Sequence, residues 1–378
     1  MPWPDRIYEG LYRVSRDSEE RAHIPRFYST QMQVMINALG EMPLSANKVS
    51  GSQGISVLMA NSLMFQRTPT PVEGYDDPQL SNFYGLALPL VKRGIPISIT
   101  HLENTGYSDT WKDVRVLLMS YSNLKPSSLK AHEDIARWVH EGGHLIYCGR
   151  DDDAFQHVME WWNQGEYHFS APSDHLFTLM QIGEHPADDV YQYGKGTVRV
   201  IRQDPKEFVL YARADAPLLA AVEQAYGRLE YKNSFVLERG CYVLSAVVDE
   251  GVTDEPLTLR GTYIDLFDPT LPLVKEKIVH PGEQAFLFDI AKVAGRRQPQ
   301  VMAAASRQTD EVRTKHSYSF IAKSPANTDN VMAILLPRKP RNVTTDATPC
   351  QFSWAAKEHV LHLQFENSPE GVRVFIEW

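Results

Sequence analysis

Cysteine is scarce. Cys148, Cys241 and Cys350 are the three in 378 residues, and they stand far apart. That spacing excludes a disulfide framework and a cysteine-built zinc site, and it points to a reducing compartment. No apolar run approaches the ~20 residues that a membrane-spanning helix needs. The first residues, with prolines at 2 and 4, have neither the basic stretch nor the apolar segment of a secretory signal. A cytoplasmic protein without membrane contact is therefore expected. Basic runs are missing as well and the net charge is −9, so no nucleic-acid partner is expected. No histidine, cysteine and carboxylate set has ligand spacing, so neither a metal nor another cofactor is expected.

What remains is ample for a packed core. Hydrophobic residues make up 43% of the chain, and its length predicts two or three domains. Residues 112–153 organise the rest. Residues 114–119 are apolar without helical period, and 120–126 carry turn formers. Ser127 or Ser128 suits a helix N-cap, after which Leu129, Ile135, Ala136, Trp138 and Val139 recur near a period of 3.6. Gly142 and Gly143 end that helix, and 144–148 is a second apolar strand. Strand, helix, strand predicts a right-handed parallel crossover. Ligands of such sheets bind beyond the carboxyl ends of the strands.

The same alternation extends on both sides. Strands are predicted at 55–60 and 95–100, and helices at 78–93, 153–162, 173–182 and 205–226. A hairpin over 191–201 closes the sheet. This is a doubly wound α/β domain. After residue 230 the period changes to two, with turn residues between short strands, which predicts two small all-β sandwich domains. The expected units are an N-terminal arm (1–50), the α/β domain (51–228) and sandwiches at 229–294 and 298–378. The arm reads either as the tail of a preceding domain or as a subunit contact. It carries a helix over 26–39 with an apolar stripe of Phe27, Met32, Met35, Ile36 and Leu39. Residues 44–54, rich in Ser, Gly and Asn, read as a linker.

Residues 83–96, the 114–149 crossover, 193–198, 264–268 and 281–283 carry a resemblance. In order and pattern, 55–290 resembles the trimerisation domain of family 42 β-galactosidases and the small β-sandwich that follows it. The resemblance implies a glutamine-amidotransferase-like (flavodoxin-like) α/β fold, a role in carbohydrate metabolism and a homo-oligomer. That family's catalytic glutamates sit on a (β/α)₈ barrel, which needs roughly 200 residues or more. About 50 precede the α/β pattern here, so no catalytic residue is carried over.

The candidate chemistry is sparse. Cys148 follows a strand at a glycine turn, about where the amidotransferase-like fold places a nucleophile. It lacks a recognisable histidine partner, because His168, His175 and His185 do not have the spacing, and Arg150 stands where a small residue is usual. A buried strand-end thiol is the other reading. His101, Glu103 and Asn104 end the second strand and could hold a sugar hydroxyl or lie in solvent. Asp151, Asp152 and Asp153 read as a hard-metal cluster or, more commonly, as a helix first turn. Trp161 could stack on a sugar or pack on the sheet. The expected ligand-binding set is Asn61, Arg67, His101, Glu103, Asn104, Tyr121, Arg150, Asp152 and Trp161.

The expected function is the non-catalytic accessory or oligomerising part of a β-galactosidase-like hydrolase, binding a carbohydrate or a partner domain. The alternative is a stand-alone cysteine hydrolase using Cys148. A homo-oligomer, dimer or trimer, is expected, with the 26–39 helix and the 61–77 loop near the interface.

Overall fold

The computed structural model describes residues 24–42, 54–61, 78–153, 155–156, 158–293, 298–346 and 349–378, and the backbone of strands at 6–9, 12–15, 21–23 and 47–49. Residues 1–49, 236–247 and 256–378 form one compact unit, and residues 50–235 and 248–255 a second. The chain begins with β1 (Arg6–Glu9), β2 (Tyr12–Ser15) and β3 (Arg21–His23), paired antiparallel. The helix α1 (Arg26–Glu41) and the short β4 (Asn47–Val49) follow.

The α/β unit holds one six-stranded sheet. Its strands are β5 (Ile55–Met59), β6 (Ser98–His101), β7 (Val116–Met119), β8 (His144–Cys148), β9 (Val190–Tyr193) and β10 (Gly196–Ile201), in the order β6-β5-β7-β8-β10-β9. All neighbours are parallel except β9, which returns antiparallel beside β10. The central strands are largely apolar, β7 throughout, because both faces are covered. Leu117 and Met119 of β7, with Leu145 and Tyr147 of β8, face one core together with α4 (Lys130–Glu141) and α5 (Pro172–Leu179). Val116, Leu118, Ile146 and Cys148 face the other, with α2 (Phe83–Val91) and α7 (Ala216–Tyr226). The short α3 (Ser108–Trp111) and α6 (Glu207–Leu210) complete this unit.

Glycine is required where α4 meets the β9–β10 turn. A Cβ on Gly196 would stand 2.1 Å from the Gly143 carbonyl oxygen and 2.2 Å from that of Val139. Gly194, with φ +58°, would meet the His140 carbonyl oxygen at 2.4 Å. The spacing of glycines in 193–198 is thus the imprint of a helix end resting on a hairpin.

The β-rich unit contains three larger sheets. β11 (Ser234–Arg239), β12 (Tyr242–Val247), β13 (Leu257–Asp265), β14 (Leu273–Val279) and β15 (Gln284–Asp289) join β4 in the order β14-β13-β15-β12-β11-β4. β16 (Gln300–Ala304), β17 (Arg307–Arg313), β18 (Ser317–Lys323), β19 (Asp329–Leu335), β20 (Asn342–Thr345), β21 (Gln351–Ala355), β22 (Val360–Glu366) and β23 (Val372–Glu377) form two four-stranded sheets. Their orders are β16-β19-β22-β21 and β17-β18-β23-β20. Tyr318, Phe320, Leu361, Leu363 and Val374 fill the core between them.

Three local expectations are corrected. Residues 44–54 are not only a linker, since β4 pairs antiparallel with β11. Among the described residues of 153–162 the helical turn Trp161–Asn163 stands in place of the expected helix. Asp153 instead closes a turn by accepting the Phe155 N–H at 2.9 Å, a local bond that competes with helix. Neither Ser127 nor Ser128 caps α4; Leu129 holds the N-cap position without a side-chain bond.

The apolar stripe of α1 is also turned round. Thr30, Val34 and Ala38 are its buried positions, and Val34 and Ala38, with Met42 at the C-cap, join a core with Ala303, Ala305, Ala333, Tyr242 and Ile264. The small residues on both sides let the helix lie close to β16 and β19. Of the expected stripe, Met35 packs against that core, while Phe27, Met32, Ile36 and Leu39 are 63%, 37%, 50% and 58% exposed. Helical period alone does not choose between two apolar faces.

Candidate functional site

The carboxyl edge of the parallel sheet gathers the polar side chains of the α/β unit, and most are bound to one another. Asp151 follows β8 with φ +60°, a left-handed conformation uncommon for a non-glycine residue. The turn aims its carboxylate inward, where it accepts from the Tyr147 hydroxyl, from Ser173 Oγ at 2.8 Å and from Arg202 Nη1 at 2.6 Å. Lys125 Nζ donates to Asp153 Oδ2 at 2.7 Å and to the Tyr121 carbonyl oxygen at 2.9 Å. Burial pulls the Lys125 ammonium below its usual range, and the charge of Asp153 opposes that pull.

Beside these pairs runs a buried chain of rings. Tyr121 Oη lies 2.7 Å from His132 Nε2, and His132 Nδ1 lies 2.9 Å from His175 Nδ1. One proton fits between the two Nδ1 atoms. The arrangement that uses every group has the Tyr121 hydroxyl donating to Nε2 and His132 Nδ1–H donating to His175. Burial, then the neighbouring His175, holds His132 well below the usual histidine range. Burial lowers His175 as well. Trp161 walls this chain with its ring against His132 and His175, its indole N–H donating to the Pro126 carbonyl oxygen at 2.9 Å.

The residues expected to bind a ligand do not converge. Tyr121 and Trp161 meet around His132 and His175. Asn61 and Glu103 meet elsewhere, the Asn61 N–H donating to Glu103 Oε1 at 2.8 Å. His101 and Asn104 are exposed, and the Asn104 carbonyl oxygen accepts from Thr110. Arg150 pairs with Glu207, and Asp152 is exposed. Arg67 lies outside the described residues.

Cys148 is not placed as an accessible nucleophile would be. It is fully buried in the core against α2 and α7. Desolvation drives its thiol far above the ordinary range, and the nearby Arg199 does not offset this. The strand alternation that turns Tyr147 toward α5 turns Cys148 the other way.

The three aspartates neither form a metal cluster nor open a helix. Asp151 is an anchor for three donors, Asp153 is the partner of a buried lysine, and Asp152 is exposed. Among the described residues, no group of three or more His, Cys, Asp or Glu is placed to hold a metal ion. Sequence reasoning missed His132, Ser173 and Arg202. His132 gives itself away only as a polar residue on the buried face of α4, and Ser173 as a hydroxyl in the first turn of α5. No helix among the described residues is long and apolar enough to cross a membrane.

No family model and no curated protein sequence matches the chain. Among solved structures it is similar to the β-galactosidase from Bacillus circulans sp. alkalophilus, at 12% identity and a TM-score of 0.37 over 65% of this chain and 42% of that one. It is also similar to Gan42B, a GH42 β-galactosidase from G. stearothermophilus, in a catalytic-mutant form. That match has 14% identity and a TM-score of 0.37, over 64% of this chain and 40% of that one. The chain thus spans about two fifths of the length of these relatives.

Proposed function

We propose that this chain is the non-catalytic, oligomer-building part of a β-galactosidase-like glycoside hydrolase, with an α/β unit of the amidotransferase-like (flavodoxin-like) kind. Cleavage of a glycosidic bond needs two carboxyl groups facing each other across it, ~5–9.5 Å apart. The observation that carries the reading is how the carboxyl edge of the sheet is used. Asp151 and Asp153 are bound to Arg202 and Lys125, and the one cysteine of the edge is inside the core. The edge is built to be rigid rather than to offer a reactive group.

The outer face of α1 supports the oligomeric half of the reading. Met32, Ile36 and Leu39 lie on one side of the helix, away from its buried face, and are exposed. Apolar rows of this kind are covered in symmetric homo-oligomers, and we propose a dimer or trimer. Light scattering at micromolar concentration tests it. A dimer or trimer that falls to monomer in Ile36→Lys is expected, and a wild-type monomer would overturn the proposal.

A further inference from the structure

A strap of chain, residues 158–170, lies beside the carboxyl edge of the sheet between Asp153 and α5. It contains one helical turn, Trp161–Asn163, and no strand. Its backbone hydrogen bonds are local. The N–H groups of Asn163, Tyr167 and Phe169 donate to the carbonyl oxygens of Glu160, Gln164 and Trp162. Among the described residues, one hydrogen bond ties the strap to a distant part of the chain, from the Trp161 indole N–H to the Pro126 carbonyl oxygen at 2.9 Å. Segments held by so few long-range bonds open at lower cost than the body of a domain.

The rest of the attachment is aromatic, and it converges on one imidazole. Trp161, Tyr167 and Phe169 surround His175 of α5, with ring centroids 5.1, 5.3 and 5.4 Å from it, and each meets it nearly at right angles. Trp161 also stands 5.3 Å from His132 of α4. Both histidines are buried, and their Nδ1 atoms, 2.9 Å apart, share one proton. The strap, α4 and α5 therefore meet at a hydrogen bond that exists in one protonation state. A proton added at the accepting Nδ1 leaves two N–H donors facing each other. Ring faces attract an imidazolium, but they have no lone pair in the ring plane for that proton. His175 must then turn from His132, and the rings packed around it cannot all keep their places.

The neighbouring charges leave this contact free to respond. Lys125 is paired with Asp153, and Asp174 with His185. Burial keeps the hydroxyls of Tyr121 and Tyr147 protonated. Glu166 and His168 of the strap are exposed. Glu133 of α4 is the charged group that acts on His175, and it favours the added proton. We infer that the strap is a pH-operated flap: a proton taken up by the His132–His175 pair breaks their contact and releases residues 158–170 from the sheet edge. Below the ordinary histidine value of ~6.5, each proton taken up favours the open form by up to about tenfold per pH unit.

The test is hydrogen exchange of the full chain at pH 7.5 and pH 5, read by mass spectrometry and corrected for the chemical effect of pH on exchange. Opening of 158–170 should rise roughly tenfold or more at the lower pH, while β7, β8 and α4 stay protected. Trp162 is buried, so tryptophan emission should move to longer wavelength over the same pH range. His175→Phe keeps a ring among the three aromatics without a site for the proton, and should flatten the response. Glu133→Gln leaves the ring contacts in place and should move the midpoint to lower pH, a readout that stands even if His175→Phe fails to fold. No added exchange in 158–170 at pH 5, a response of full size in His175→Phe, or an unmoved midpoint in Glu133→Gln would each overturn the inference. Loss of protection throughout the α/β unit at pH 5 would overturn it too, since that is global unfolding rather than release of a flap.

Discussion

His132 and His175 face each other through their Nδ1 atoms at 2.9 Å, inside the carboxyl edge of the sheet. Only one of these nitrogens carries a proton in a neutral pair, so a second proton there would set two N–H donors against each other and leave a buried imidazolium. Burial keeps both imidazoles below their usual range, and Glu133 opposes this at His175. The unfolded chain takes up protons near pH ~6.5 that the folded chain refuses. The stabilisation is therefore fully present above that pH and is lost as the pH falls toward the lowered folded values. The slope is at most ~1.4 kcal/mol per pH unit for each refused proton. Urea unfolding at intervals from pH 7.5 to 5 should show this loss, with a shallower slope in His175→Asn. Equal slopes in the two proteins would remove the pair as its cause.

Lys125 and Asp153 make a more severe test of the same edge. Their side chains are 5% and 10% exposed and 2.7 Å apart. Removing one partner of a buried pair leaves the other charged and alone, at a cost of ~3–5 kcal/mol. Lys125→Met and Asp153→Asn should each lose an amount of that order. The double variant should recover much of it, because replacing both partners of a buried pair is often close to neutral. Additive losses in a double-mutant cycle would mean that the two groups are not coupled.

Cys148 should resist thiol reagents. It lies on β8, between β7 and β10, and is fully buried. Modification then requires opening of the sheet, which for central strands approaches global unfolding. Cys241 and Cys350 are only partly buried. With a maleimide at neutral pH and mass-spectrometric readout, Cys241 and Cys350 should label first, and Cys148 only when urea unfolds the chain. Rapid labelling of native Cys148 would return it to consideration as a reactive group.

These tests bear on residues of unequal legibility. The strands of the sheet are readable because burial on both faces makes β7 apolar throughout and β5 and β8 apolar but for Ser56 and His144, and because Gly142 stops α4. The period-two strands after residue 230 were readable for the same kind of reason. The partners of Asp151 were not: Ser173 and Arg202 lie 22 and 51 positions away along the chain, and only the fold brings them to one carboxylate. Nor was the absence of a helix after Asp153, where one side chain bonded to Phe155 and Lys125 outweighs the helical spacing of the following residues. The described residues of the expected ligand-binding set are scattered for a related reason. Residues at the ends of neighbouring strands share an edge, yet Arg150 turned to Glu207 and Glu103 turned to Asn61.

The orientation of α1 gives the last prediction. Val34 is 1% exposed and packs in a core with Ala303 and Ala333, while Ile36, two positions on, is 50% exposed. Val34→Asp puts a carboxylate where no partner waits and should destabilise the chain by at least ~3 kcal/mol. Ile36→Lys should alter the stability of the isolated subunit by no more than ~0.5 kcal/mol, as exposed substitutions do. Denaturant unfolding of both variants at one low protein concentration makes the comparison, since dissociation then contributes least. If Ile36→Lys were the more damaging of the two under those conditions, the helix would be buried on the face read from its larger side chains, and the close approach of Ala38 to the sheet would be wrong.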